Sequence, residues 1–216
     1  MENSQRLSLP RMPYKGERLG VMTGMLLGGA SIVKKYQNNI VICHSNKFKE
    51  YFDWKCEILS KFGYSQKKIR QMRPVVKGNK HSASIVDFVG DDINWFYKNA
   101  YDQITGKKTV KYQFVRHLNQ YGLAVWFMDD GSNVQKLKNG SYLLNTQAFS
   151  EEENKMLVKI LKKRFGLEPK IHREKGKYYK LYFGAEKNNA QRLKELINSY
   201  IHPSMKYKLR WTPRNK

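Results

Sequence analysis

Acidic residues are scarce in this chain: 18 Asp and Glu stand against 41 Lys and Arg over 216 residues, a formal charge of +23 with a pI near 9.9. Charge of one sign repels itself in a compact fold and disfavours cationic ligands, so the partner expected from this imbalance is a polyanion. Cysteine is scarcer still. Cys43 and Cys56 are too few for a disulfide framework or a four-ligand zinc site. The histidines, His44, His81, His117, His172 and His202, never fall at the i, i+4 spacing of a zinc-binding helix. No apolar run reaches 18 residues, which excludes a membrane-spanning helix, and residues 1–16 lack the apolar stretch of a secretory leader. The expectation is a soluble protein with no membrane partner in a reducing, intracellular setting. Organelle, bacterial cytoplasm and phage-infected cell are equally compatible with it.

What is present is a core and a repeat. Apolar residues make up 40% and aromatics 13%, which suits a folded domain rather than a disordered basic tail. Two segments roughly 100 residues apart share one order of elements. The first, Leu19 to Thr109, opens with a small-residue helix (Leu19 to Ala30) and alternation through Ile40, Ile42 and His44. An amphipathic helix follows, with Phe48, Phe52, Cys56 and Leu59 on one stripe. Strand-like runs at Ile69 to Val76 and Ser84 to Val89 then flank Lys77-Gly78-Asn79-Lys80, before a helix around Ile93 to Ile104.

In the second segment Leu123 to Asp130 is the opening helix, and Asn139-Gly140 signals a tight hairpin into the strand Ser141 to Ala148. Ser150 and Glu153 form a capping box ahead of a helix that directs Met156, Leu157, Ile160, Leu161 and Phe165 inward. Strands Lys170 to Glu174 and Tyr178 to Phe183 flank Lys175-Gly176-Lys177, and a last helix buries Ala190, Leu193, Leu196, Ile197 and Tyr200. Each half reads helix, strand pair, helix, strand pair, helix: an α+β fold with pseudo-twofold symmetry. The expected division is an N-terminal extension 1–17, halves 18–110 and 111–210, and a basic tail 211–216.

Alternation sends Tyr179, Leu181 and Phe183 to one face of their strand and Tyr178, Lys180 and Tyr182 to the other. A cationic face carrying aromatics suits nucleic acid; an ordinary solvated face is the alternative. Repetition favours the former, because Lys61 to Lys80 holds seven basic residues and no acid, and Pro203 to Lys216 holds five and none. Candidate DNA contacts are Lys67, Lys68, Arg70, Arg73, Lys77 and Lys80 in the first half. In the second they are His172, Arg173, Lys175, Lys177, Tyr178, Lys180 and Tyr182.

The segment Leu123-Ala124-Val125-Trp126-Phe127-Met128-Asp129-Asp130-Gly131 is apolar for six residues and ends in two acids and a glycine. Alone, Asp-Gly after a helix reads as a C-terminal turn. In the first half Gly20, Gly24 and Gly28 fall at i, i+4 and i+8, a groove that admits another backbone, or else a flexible glycine-rich loop.

On these residues the chain resembles a LAGLIDADG homing endonuclease of the single-chain, two-repeat type. Leu123 to Gly131 is the second copy of the signature, and Met22-Thr23-Gly24-Met25-Leu26-Leu27-Gly28-Gly29-Ala30 is a more degenerate first copy. Leu144-Asn145-Thr146-Gln147-Ala148-Phe149 and Met205-Lys206-Tyr207-Lys208-Leu209 are similar to stretches of the intron-encoded mitochondrial member, so the likeness spans Leu19 to Leu209. The resemblance implies two αββαββα halves with the signature helices at their interface, and four-stranded sheets forming a saddle on double-stranded DNA with a long, low-symmetry site. It implies a monomer that hydrolyses phosphodiester bonds with Mg²⁺, for which Ca²⁺ or Mn²⁺ can substitute.

The last acid of each signature would be a catalytic metal ligand: Asp130 in the second copy, and the position of Gly29 in the first. Glycine cannot coordinate, and no Asp or Glu lies between Arg18 and Lys49, so cleavage by this chain is expected to be impaired or absent. An engineered inactivating substitution, natural decay and single-strand nicking all fit that glycine. Lys108, 79 positions after Gly29, and Lys208, 78 after Asp130, would stabilise developing negative charge; backbone-phosphate contact is the plainer role. Gln147 would position water, with His44 in its place in the first half, and Asp129 would close its helix or contact the other half. An RNA maturase acting on intron RNA, or a non-cleaving DNA-binding protein, is the alternative on the same scaffold.

Overall fold

Two helices that are apolar on every side, α1 (Arg18–Leu27) and α5 (Gln120–Asp130), lie against each other at the centre of the molecule. Such helices need cover all round, and every residue from Gly20 to Leu27 and from Tyr121 to Met128 is buried. Their approach is set by glycine: a Cβ at Gly24 would overlap the carbonyl of Gly122, and a Cβ at Gly122 would overlap the carbonyl of Gly20. The glycine spacing therefore marks a helix crossing and not a loop. The computed structural model describes residues 9–34, 37–76, 78–134 and 140–210. Lys77, Asn139 of the expected hairpin turn, and the tail 211–216 lie outside the described residues.

Each central helix leads into an antiparallel sheet. The first contains β1 (Ser31–Lys34), β2 (Asn38–Ser45) and β7 (Ala83–Val89), with β3 (Ser65–Gln66) and β4 (Arg70–Met72) both paired to the outer edge of β7. The expected run Ile69 to Val76 is interrupted because Pro74 has no N–H to give a ladder. Beyond it β5 (Val75–Val76) and β6 (Asn79–Lys80) form a separate ribbon. The second sheet has the order β10 (Lys170–Glu174), β11 (Tyr178–Phe183), β9 (Tyr142–Asn145), β8 (Gly131–Asn133).

Helices cover one side of each sheet. On the first these are α2 (Lys49–Lys61) and α3 (Ile93–Ala100), on the second α6 (Glu151–Phe165) and α7 (Asn189–Ile197); the short α4 (Tyr112–Val115) contacts α3 and α6. The capping box of α6 forms as expected, Ser150 Oγ accepting from Glu153 N at 3.2 Å and Glu153 Oε2 from Ser150 N at 2.7 Å. Two elements are shorter than the sequence pattern suggests. Helix α3 stops at Ala100 because Asp102 Oδ1 accepts from Ile104 N and Thr105 N and turns the chain. Strand β9 stops at Asn145 because the Thr146 hydroxyl bonds Asn154 at 2.6 Å and the Tyr179 carbonyl at 3.1 Å, which begins a turn.

Candidate functional site at the paired helix ends

Helices α1 and α5 direct their last carbonyls to one place. Lys108 Nζ donates to Gly28 O at 2.9 Å and Ala30 O at 2.6 Å. Lys208 Nζ donates to Met128 O at 2.5 Å and Asp129 O at 3.2 Å. Each lysine thus neutralises the negative end of one helix dipole. Burial lowers the affinity of both ammonium groups for their proton, bringing Lys108 down to about 8.

Asp129 and Asp130 are adjacent in sequence and opposite in circumstance. Asp129 is buried and crosses into the first half, accepting from Lys55 Nζ at 3.1 and 2.8 Å, Gly29 N at 2.9 Å and Tyr51 Oη at 3.0 Å. Burial alone would raise its pKa, but Lys55, His44 and the Gly29 amide outweigh that and hold it below the usual carboxylate range. Lys55 itself has no exposed side-chain surface. His44 lies 3.6 Å from Asp129 and is pushed down to about 4 by burial and Lys55, against the pull of the carboxylate.

Asp130 is partly buried, and desolvation together with the charge of Asp129 raises its carboxyl to about 6. Asn145 donates to its carbonyl oxygen at 2.8 Å. Because the folded state holds this proton more tightly than the unfolded chain, stability falls as pH rises from about 4 to about 6. Asp130→Asn is therefore expected to stabilise the protein by about 1–3 kcal/mol at pH 7. The gain should vanish below pH 4, measured by thermal denaturation across pH; a uniform gain at every pH would contradict this origin.

Gly29 sits against this cluster, its ideal Cβ position 3.3 Å from Asp129 Cγ and Oδ2. Its backbone is outside the left-handed region, so neither conformation nor a hard clash requires glycine there. Gly28 differs, since a Cβ there would come within 2.8 Å of Asp129. Among the described residues no three His, Cys, Asp or Glu side chains gather to hold a metal. Asp130 is a hard oxygen donor suited to one magnesium-like cation, whereas the Gly29 side offers no side-chain ligand.

Gln147 lies exposed in the turn after β9, so the strand residue reaching the Asp130 backbone is Asn145. His44 does not share that setting, since it faces Lys55 and Asp129. Of the cationic candidates, His172, Lys180 and Tyr182 occupy one face of the second sheet, with the His172 and Tyr182 rings stacked 4.6 Å apart. Arg173 is on the opposite, helix-bearing face, over the Tyr179 ring. Lys175 and Gly176, both with positive φ, turn the hairpin, and Lys177 lies over the exposed Tyr178. Lys67, Lys68, Arg73 and Lys80 are exposed, while Arg70 pairs with Asp87 at 2.9 Å. Sequence reasoning missed Lys55 and Tyr51; the signal was a lysine four residues after Tyr51 and three before Ile58, on the buried face of α2.

The sequence model of the LAGLIDADG DNA endonuclease family matches residues 19–191. The chain belongs to that family. Among LAGLIDADG relatives, cytochrome b mRNA maturase bI2 of Debaryomyces hansenii is 28% identical over 91% of this chain and 75% of its own length. A Mycosarcoma maydis protein named "Probable intron-encoded DNA endonuclease 3" is 37% identical over 53% of this chain and 79% of its own length. The structure of the homing endonuclease I-WcaI bound to its DNA recognition sequence matches with a TM-score of 0.74 at 24% identity, covering 94% of this chain and 89% of that one. That likeness shows the LAGLIDADG fold. No helix among the described residues is long and apolar enough to cross a membrane.

Proposed function

We propose that this chain is a monomeric, site-specific double-strand DNA homing endonuclease whose cleavage centre is half built: it binds its target and is impaired in cutting it. The observation that carries this reading is the convergence of Asp130, Lys108 and Lys208 on the paired helix ends, with glycine at position 29. Magnesium, with calcium or manganese as substitutes, would be held by the Asp130 carboxylate and by DNA oxygens, and would polarise the phosphate and activate water.

The rest falls to the protein's own groups. Lys108 and Lys208 are preorganised donors at the helix termini, where they can turn from carbonyls to phosphate oxygens as negative charge develops. Asp129 takes no part in coordination, because Lys55 and Tyr51 occupy its oxygens. The exposed lysines and arginines of the two sheet edges track the phosphate backbone.

A binding assay against randomised duplexes tests the reading, with recovery of one long, asymmetric sequence as the expected result. Affinity for it should fall steeply with salt, by about 10³–10⁵ between about 50 and 200 mM if about 6–10 phosphates are neutralised. A nearly flat salt dependence, or no selected sequence, would overturn it. The maturase relative, matched over 91% of this chain, favours a second reading in which the partner is intron RNA. Competition separates the two: intron RNA displacing the selected duplex at lower concentration than unlabelled duplex would decide for the second.

A further inference from the structure

The helix-free faces of the two sheets differ in chemistry. Pairing register fixes the face of each strand residue, because directly paired residues point the same way. In the first sheet Ile40, Ile42, Val86 and Phe88 are fully buried under the helices. The opposite face therefore carries Val33 and Met72, 38% and 42% exposed, the exposed Cys43 and the partly exposed Ile85, with the buried Asn39 beside Val33 and the serines Ser31 and Ser45 at strand ends. The charge on this floor, Arg70 with Asp87, is internally paired. Its rim is cationic, with Lys67, Lys68, Arg73 and Lys80 all exposed. The equivalent face of the second sheet is more polar: Asn145 pairs with Lys180 and Lys180 with His172, and the partly exposed Leu143 beside Tyr182 is the apolar residue that β9 places there.

An apolar floor inside a basic rim matches one feature of duplex DNA. The rim suits phosphates, and the C5-methyl of thymine is the apolar group that base-pair edges present in the major groove. Taking the sheets to be the DNA-contacting surface, as the proposed function does, we infer that the two halves read different chemistry. Val33, Cys43, Ile85 and Met72 contact thymine methyl groups, so the first half selects a thymine-rich half-site. His172, Lys180 and Asn145 read hydrogen-bonding base edges in the other half-site.

The test uses the full chain and the duplex it selects from a randomised pool. Thymine is replaced by deoxyuridine in one half-site at a time, which removes the methyl group and leaves base pairing intact. Affinity should drop about fourfold for each contacted thymine, in one half-site only. In Met72→Ser and Ile85→Ser that uracil penalty should shrink, although both variants bind the thymine duplex more weakly than the parent. Equal penalties in both half-sites, no penalty, or a penalty unchanged in the two variants would overturn the inference while leaving DNA binding intact. Sedimentation of the DNA-free chain as a dimer that Met72→Ser dissociates would assign the apolar face to a second copy instead. Failure to select any duplex would remove the DNA reading itself, and this inference with it.

Discussion

Lys55→Met is expected to lower the unfolding free energy by about 3–5 kcal/mol, the range for removing one member of a buried ion pair. Lys55 and Asp129 have 0% and 1% of their side-chain surfaces exposed and are 2.8 Å apart, so no solvent can replace the lost partner. The Gly29 amide and the Tyr51 hydroxyl still donate to the carboxylate, which argues for the lower end. At about 2–4 °C per kcal/mol for a chain of this size, the melting temperature should drop by about 6–12 °C. The deficit should narrow on acidification, because an unpaired Asp129 can take up a proton. Asp129→Asn in the Lys55→Met background should recover most of the loss, since an uncharged amide needs no counter-ion. If the single variant melts with the parent, the pair is not holding the halves together.

The second large effect is a gain. Gly29→Asp, assayed with Mg²⁺ on supercoiled selected target, should raise double-strand cleavage by at least about 100-fold, since a metal ligand at the reacting phosphate is worth several kcal/mol. The site can accept the side chain: Asp129 must yield only a few tenths of an ångström, and the backbone at 29 is ordinary. Lys55 and Lys108 temper the added negative charge. Gly28→Asp is the matched control, because its Cβ would press on Asp129 and the side chain would clash instead of coordinating. A Gly29→Asp protein that melts normally and binds its target, yet yields no linear product, would show that position 29 is not the missing ligand.

The repeated order of elements was legible in sequence because it rests on periodicity and on local devices. The Ser150–Glu153 box and the glycine spacing of α1 are both written in a few adjacent residues. Element ends were less legible. Asp102 turning the chain after α3 and Thr146 ending β9 depend on side chains bonding at a distance or against the local pattern. At the candidate site, the family resemblance directs attention to Asp130, Lys108 and Lys208, and both lysines bond carbonyls at the ends of the paired helices. The Lys55–Asp129 pair could not be read from sequence, because its members are 74 positions apart and a lysine within an apolar stripe ordinarily signals a snorkelling surface residue. His44 matches Gln147 only when the Phe-Gly pairs at 62–63 and 165–166 are aligned, and such a match carries no information on where a strand stops: β9 ends at Asn145 and leaves Gln147 in the turn beyond it.

The near-contact of Gly24 with the Gly122 carbonyl also limits how such proteins can be recombined. A chimera joining this amino-terminal half to another relative's carboxyl-terminal half would assemble only where the incoming helix also presents a bare α-carbon at the crossing. Compatibility between donors would then be decided by one or two buried positions and would be indifferent to how closely their outer surfaces agree.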